Sequence, residues 1–331
     1  MVTLPQNPTL LITGAAGNLG GLLARHLLAA DVQLRLMVHK TPVSADLESA
    51  ESTTVVKADL AKKATLARAV EDVDVVVHFA GVLFAPRPEK FLPVTNTQWF
   101  ENLVDASVEA SVRRVVLMSF PHVEGPTTIA SPATGRLDRS PISVHAQTRL
   151  AEEQLLYTKT EGTETTPVVL RLGMVYGDSV LMVDAARWLA RHWLLGVWTE
   201  PTHIQLISIP DYLSATEAAC LLPDVEGTYH LGDERPTTLQ ALLDECCQVW
   251  GCKKPWRMPL WMIYTAAALT EFAAALLRKP APLTRDFISI GRVSYWGDTA
   301  RMRDELLPEL RYPTFQDGKS TLLHCSRRPV P

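Results

Sequence analysis

The chain has 331 residues, 47% of them apolar and 21% charged, with a formal net charge of −4. That length suits one large α/β domain, or one domain with a smaller lobe, and supplies apolar material for a sizeable core. There is no basic excess to hold a nucleic acid, and the start MVTLPQNPTLLITG has neither the charged head nor the apolar run of a signal peptide.

In chain order, TLLIT (9–13) predicts a strand and NLGGLLARHLLAA (18–30) a helix with apolar residues at helical spacing. VQLRLMV (32–38) and TTVVK (53–57) predict further strands, and ATLARAV (64–70) a helix. VDVVVHFA (73–80) predicts a buried strand, TQWFENLVDASVEA (97–110) a helix and RRVVLMSF (113–120) a strand. A helix through SVHAQTRLAEEQLL (143–156) and a strand at TPVVLRLG (166–173) complete the alternation. Strand–helix alternation implies a parallel sheet covered on both faces, with a ligand crevice at the carboxyl ends of the strands.

Past about residue 178 the alternation weakens and Trp becomes frequent, which predicts a smaller, mainly helical lobe over residues 179–325 that covers the crevice. The expected division is a dinucleotide-binding part over 1–178, with one return to the sheet near HIQLISIPDYLSATEAACLL (203–222), and a frayed tail at 326–331. LWMIYTAAALTEFAAALL (260–277) contains Glu271 and is short for a membrane span, which needs about 20 apolar residues. It reads first as a buried helix and second as a greasy helix lying on a membrane or a partner. Five cysteines, at 220, 246, 247, 252 and 325, have no zinc-like spacing and read as reduced thiols in a cytoplasmic protein; no metal site is expected.

The chemistry starts at TLLITGAAGNLGGLLARHLL, where Gly14, Gly17 and Gly20 join a strand to a helix. Glycine there permits a tight turn and close backbone approach to a diphosphate, and the helix N-terminus offers N–H groups and a favourable dipole. The spacing is GxxGxxG rather than GxGxxG, but with a strand before and a helix after it points to a nucleotide site.

With TGAAGNLG (13–20), ADL (58–60), HFAG (78–81), TRLAEE (148–153) and LRLGMVYG (170–177) in order, the chain resembles the extended short-chain dehydrogenases/reductases. That family includes nucleotide-sugar epimerases and 3β-hydroxysteroid dehydrogenase-like proteins. SIPDYLSATEAA (208–219) and PLTRDFISIGRVSYWGDTARMRDEL (282–306) extend the resemblance to nearly the whole chain. It implies a Rossmann-type doubly wound parallel sheet. It also implies that Gly14, Gly17, Asn18, Leu19 and Gly20 cradle the diphosphate, that Asp59 and Leu60 sit beside the adenine, and that Ala80 and Gly81 pass under the ribose. Asp59 also reads as a helix N-cap, and His78 as a strand-end packing residue. The second strand ends VHKTP, placing His39 and Lys40 where an acidic residue would select NAD. With no acidic residue near in sequence, NADP is the preferred cofactor and NAD the alternative.

In the resembling family a Tyr exchanges the substrate proton, a Lys four residues later bonds the nicotinamide ribose, and a Ser or Thr after the fifth strand holds the substrate oxygen. The Tyr place falls on His145 and the Lys place on Arg149, giving HxxxR. The Ser place falls on Phe120, with Ser119 one residue earlier. Positions 145 and 149 share a helix face. Arg149 has donors for ribose hydroxyls, and His145 suits proton transfer near neutrality, as a better base than acid beside an arginine. Arg149 and Glu153 also read as an ordinary i,i+4 surface pair.

Tyr176 matches the segment entering the substrate lobe and reads as packing or substrate lining, while Asp211 reads as an N-cap. Trp188, Trp193 and Trp198 recur at five-residue spacing and favour an apolar or aromatic small-molecule ligand over a nucleotide sugar. The family commonly dimerises through two helices per subunit, which raises a homodimer as an expectation. Two functions follow. One is an atypical NAD(P)-dependent oxidoreductase or epimerase-type enzyme. The other is a catalytically silent cofactor sensor, motivated by the joint change of Tyr, Lys and Ser.

Overall fold

Side chains alternate along the strands and divide the core in two. In β1 (Thr9–Thr13), Leu10 and Ile12 enter one apolar cluster and Leu11 the other. The same period places Val75 and Val77 against Val76 in β4 (Val75–His78), and Val116 and Met118 against Val115 and Leu117 in β5 (Arg114–Ser119). Strands buried on both faces form a parallel sheet because helices must cover each side. The remaining N-terminal strands are β2 (Gln33–Val38), β3 (Thr53–Lys57) and β6 (Thr166–Leu172). Between them run α1 (Asn18–Leu27), α2 (Ala45–Glu48), α3 (Lys63–Val70), α4 (Trp99–Glu109) and α5 (Val144–Thr160). This computed structural model describes residues 4–81, 87–277 and 283–323.

The C-terminal part contributes β7 (Met174–Tyr176), α6 (Leu181–Arg191), β8 (Gly196–Trp198), β9 (His203–Ile204) and β10 (Leu206–Ser208). It continues with α7 (Ile209–Leu221), β11 (Gly227–Leu231), β12 (Thr237–Thr238), α8 (Leu239–Val249) and β13 (Trp256–Met258). Helices α9 (Leu260–Leu277), α10 (Arg285–Gly291) and α11 (Phe315–Gly318) end it. The main sheet has seven strands in the order β11-β6-β5-β4-β1-β2-β3, all paired in parallel. Strand order reverses between β1 and β4, and that reversal opens the crevice where a parallel sheet binds ligands.

The return to the sheet is displaced from its expected place. Segment 203–208 pairs instead with β7 and β12, α7 packs on α1, and the added strand is β11 beside β6. Arg114 secures this return: its buried Nη1 donates to the carbonyls of Ala219, Cys220 and Leu222 at 2.8–3.0 Å, satisfying the open C-terminal end of α7.

Helix α9 is not the buried helix that its composition suggests. Among its described side chains only Ile263, Ala267 and Ala274 are buried, whereas Trp261, Leu269, Phe272 and Leu276 are 65–76% exposed. Among the described residues no helix is long and apolar enough to cross a membrane. Cys220, Cys246, Cys247 and Cys252 are free, and burial pushes the Cys220 and Cys246 thiols up to about 12. Cys325 and the tail at 326–331 lie outside the described residues.

Candidate functional site

The crevice begins at the glycine turn. Gly14 has φ +74°, and a Cβ on it would stand 2.9 Å from the Ala80 nitrogen, so β1 and the end of β4 meet there without room for a side chain. Gly17 N–H donates to the Gly14 carbonyl at 2.8 Å and is the N-cap of α1. Because Gly17 offers no side-chain acceptor, the first amides of α1 have no side-chain cap, as an anion-binding helix start requires. A Cβ on Gly20 would lie 2.6 Å from the Gly14 oxygen, so this glycine lets the helix close onto the turn. The geometry fits a dinucleotide diphosphate.

Two expected cradle residues have their side chains engaged elsewhere, with their backbone amides at the uncapped start of α1. Asn18 accepts from the Leu181 N–H and donates to the Ser179 carbonyl, tying α1 to the start of α6. Leu19 is partly buried against the core.

At the ends of β2 and β3 the structure corrects a sequence expectation. The Asp59 carboxylate lies 3.7 Å from His39 Nε2 and 4.0 Å from Lys62 Nζ. An acidic group therefore does stand at the end of the second strand, although it comes from the third. Asp59 is not the N-cap of α3, which is Lys62; it instead closes a turn on the Ala61 N–H at 3.0 Å. Lys40 is exposed, and the Leu60 carbonyl accepts from Asn102 at 2.9 Å.

Arg149 lies above the next part of the crevice. Its Nη2 sits directly over Gly81, where a Cβ could not fit, and its Nη1 donates to Glu152 at 2.7 Å. Glu152 is fully buried; burial raises its carboxyl to about 7 against the pull of Arg149. The expected Arg149–Glu153 surface pair does not form. Glu153 is buried and pairs with Arg171, because the β6 strand brings that guanidinium under α5. Below Arg149, His78 Nδ1 bonds the Thr13 hydroxyl at 2.8 Å and its ring packs on Phe100. Burial, with Arg149 nearby, pushes His78 down to about 3 and keeps it neutral. Ala80 closes the floor through its N–H, 3.4 Å from the Thr13 hydroxyl.

One turn before Arg149 comes His145. Ser143 caps α5 by accepting the Ala146 N–H at 3.2 Å, which fixes the helix start and so the position of His145. The ring Nδ1 stands 2.6 Å from Asp286 Oδ2 on α10. Nothing in the sequence pointed to Asp286, which is 141 residues away. The ring's hydrogen bond among the described residues is made by Nδ1.

Ser119 and Phe120 do not assemble with His145. The Ser119 hydroxyl donates to Glu153 in a buried cluster with Arg171 and Glu124, so it holds that cluster rather than a substrate oxygen. The Phe120 ring stacks at 4.3 Å on His122, which in turn meets Tyr295 edge-on at 4.4 Å. Tyr176 is buried against Phe315, a packing position. Asp211 is not an N-cap either: Ser208 caps α7, and the Asp211 carboxylate accepts from the Arg311 and Tyr312 N–H groups.

The tryptophans fail to line one pocket. Trp188 and Trp193 are exposed, the first stacked on His192 and the second under Lys253, while Trp198 is buried against Ile263 and Ile288. The spacing of these tryptophans therefore lends no support to an apolar or aromatic ligand.

Comparison with known proteins locates the relationship. Residues 14–172 match the model of a family described as NAD(P)H-binding. Uronate dehydrogenase of Pseudomonas putida is 29% identical over 194 residues, covering 57% of this chain and 69% of that protein. The 3 beta-hydroxysteroid dehydrogenase type 7 of Rattus norvegicus is 30% identical over 141 residues, covering 40% of this chain and 42% of that protein. Among solved structures, UDP-glucose 4-epimerase from Thermotoga maritima with UDP-glucose has a TM-score of 0.74 at 16% identity, covering 95% of this chain and 97% of that one. MoeE5 in complex with UDP-glucose and NAD has a TM-score of 0.73 at 17% identity, with the same coverage. These last two establish the shared fold.

Proposed function

The chain belongs to the NAD(P)-binding extended short-chain dehydrogenase/reductase family, and from that premise we propose that it interconverts an alcohol and a carbonyl on a small hydroxylated ligand. His145 moves the proton and Arg149 holds the cofactor. The observation that carries this reading is the helix α5 face, where Arg149 lies on Gly81 over the sheet's crevice with His145 one turn before it.

A bound nicotinamide supplies or accepts the hydride. The protein's own groups do the rest. The uncapped amides after Gly17 hold the diphosphate, and Arg149 Nη2 donates to a ribose hydroxyl while Nη1 stays on Glu152. His145 Nε2 takes the proton of the substrate hydroxyl during oxidation and returns it during reduction. NAD and NADP both fit: Lys40 favours a 2′-phosphate, whereas Asp59 beside His39 disfavours it. The names of the relatives, uronate and hydroxysteroid dehydrogenases, support a hydroxyl-bearing substrate.

A cofactor-binding protein without turnover is the second reading, favoured by the engagement of the Ser119 hydroxyl with Glu153. The two separate by deuteride transfer from labelled NADH or NADPH across a panel of sugar acids, sugars and hydroxysteroids. The enzyme reading expects transfer that His145→Ala abolishes while cofactor affinity is retained. Tight cofactor binding with no transfer anywhere supports the sensor.

A further inference from the structure

The short contact between His145 and Asp286 joins the helix that carries the sequence motif to a helix from the C-terminal part of the chain. Resting on the reading of His145 as the proton-transfer group, we infer that Asp286 is its positioning residue, fixing which imidazole nitrogen faces the crevice.

The chemistry follows from donor and acceptor inventory. A carboxylate only accepts, so the 2.6 Å contact requires the proton on Nδ1 of His145. The neutral ring then carries its lone pair on Nε2, whereas the ring's hydrogen bond among the described residues is made by Nδ1. The two side chains are only 11% and 18% exposed, so water weakens their attraction less than it would at an open surface.

The backbone on either side of Asp286 is held. Thr284 caps α10 by accepting the Phe287 N–H at 3.1 Å, while Glu271 on α9 accepts from the Arg285 backbone at 2.7 Å and from its guanidinium at 2.8–2.9 Å. Residue 286 is thus bracketed on both sides by fixed neighbours. An acidic residue in the first turn of a helix also complements the helix dipole, but that role needs no histidine at 2.6 Å.

Arg149, the positive group on the same face as His145, does not compete for Asp286, because Glu152 already engages its Nη1. In the oxidative direction His145 Nε2 would take the substrate hydroxyl proton while a bound nicotinamide would accept the C–H electron pair as hydride, leaving the protonated ring against the Asp286 carboxylate. The reverse step returns the proton.

The test combines long-range ¹H–¹⁵N spectra of the histidine rings in the full-length protein with steady-state kinetics. His145 is assigned by its loss in His145→Gln. In the wild type its neutral ring shows a protonated Nδ1 and a bare Nε2; in Asp286→Asn and Asp286→Ala that preference is lost. The account expects Asp286→Asn to lower kcat by about 10²-fold or more, with KM for cofactor unchanged and partial recovery in Asp286→Glu. If His145→Gln is as active as the wild type, the reading of His145 fails and the inference with it. If His145→Gln is inactive but Asp286→Asn keeps the wild-type kcat and the Nδ1–H tautomer, His145 stands and the role of Asp286 is overturned.

Discussion

Arg149 Nη2 occupies the space that a side chain on Gly81 would need, so the guanidinium and the glycine define one surface at the crevice. The obstacle to a methyl group there is the far end of a flexible side chain, whereas at Gly14 it is backbone, with φ at +74°. Gly81→Ala is therefore expected to displace Arg149 and weaken NAD(P)H binding about tenfold, a loss of roughly 1.4 kcal/mol, with little change in melting temperature. Gly14→Ala is expected to destabilise the fold itself by about 1–3 kcal/mol. Calorimetric titration and thermal melts of the two variants check the contrast.

Removing Arg149 leaves the Glu152 carboxylate, in a fully buried place, without the only partner it has among the described residues. Its carboxyl is already raised to about 7, so the folded state holds that proton more tightly than the unfolded chain. The resulting stability is complete below the unfolded value near 4.5 and is lost as pH rises through about 7. Arg149→Ala should lose about 3 kcal/mol at pH 8 and distinctly less at pH 5. Glu152→Gln added to it should recover most of the loss at pH 8. Equal losses at both pH values would contradict this.

Asp233 gives a second pH signature. Neither of its buried carboxylate oxygens has a hydrogen-bond partner among the described residues, and burial raises the group to about 8. Its contribution is full below about 3.8 and disappears as pH rises to about 8. Asp233→Asn is expected to be more stable than the wild type by about 1–3 kcal/mol at pH 8 and indistinguishable from it at pH 4. His78, His122 and His230 act oppositely. Burial pushes each down to about 3, so their contribution is present above 6.5 and is lost as pH falls toward 3. Urea melts across pH 4–8 read both limbs.

The Asp59–His39 contact predicts cofactor choice. Asp59→Asn removes the only acidic partner that His39 has among the described residues and leaves Lys40 in place. The ratio of NADPH to NADH affinity is expected to rise about tenfold, or about 1.4 kcal/mol. An unchanged ratio would place that pair away from the ribose.

Much of this was legible in the chain because local patterns carry it. The strands β1, β4 and β5 announce themselves as short apolar runs buried nearly end to end, and the glycine turn by its position between strand and helix. What was illegible depends on tertiary approach. GTYHL at β11 has few apolar residues and sits at the sheet edge, so 203–222 drew attention instead. Glu153 was assigned to Arg149 by helical spacing, but a residue on the neighbouring strand claimed it. The spacing of Trp188, Trp193 and Trp198 counted aromatics without revealing that two face outward. Asp286 reaches His145 from a C-terminal helix, and the approach of Asp59 to His39 joins the ends of two strands that no local pattern pairs.

The central claim is that the glycine turn and Arg149 hold a nicotinamide dinucleotide, and one thermal melt tests it. With NADH, NADPH and their oxidised forms each at about 100 times Kd, the wild type should gain roughly 2.7 kcal/mol, several degrees in melting temperature, with at least one of them. Arg149→Ala should lose most of that gain. No shift with any of the four would contradict the account.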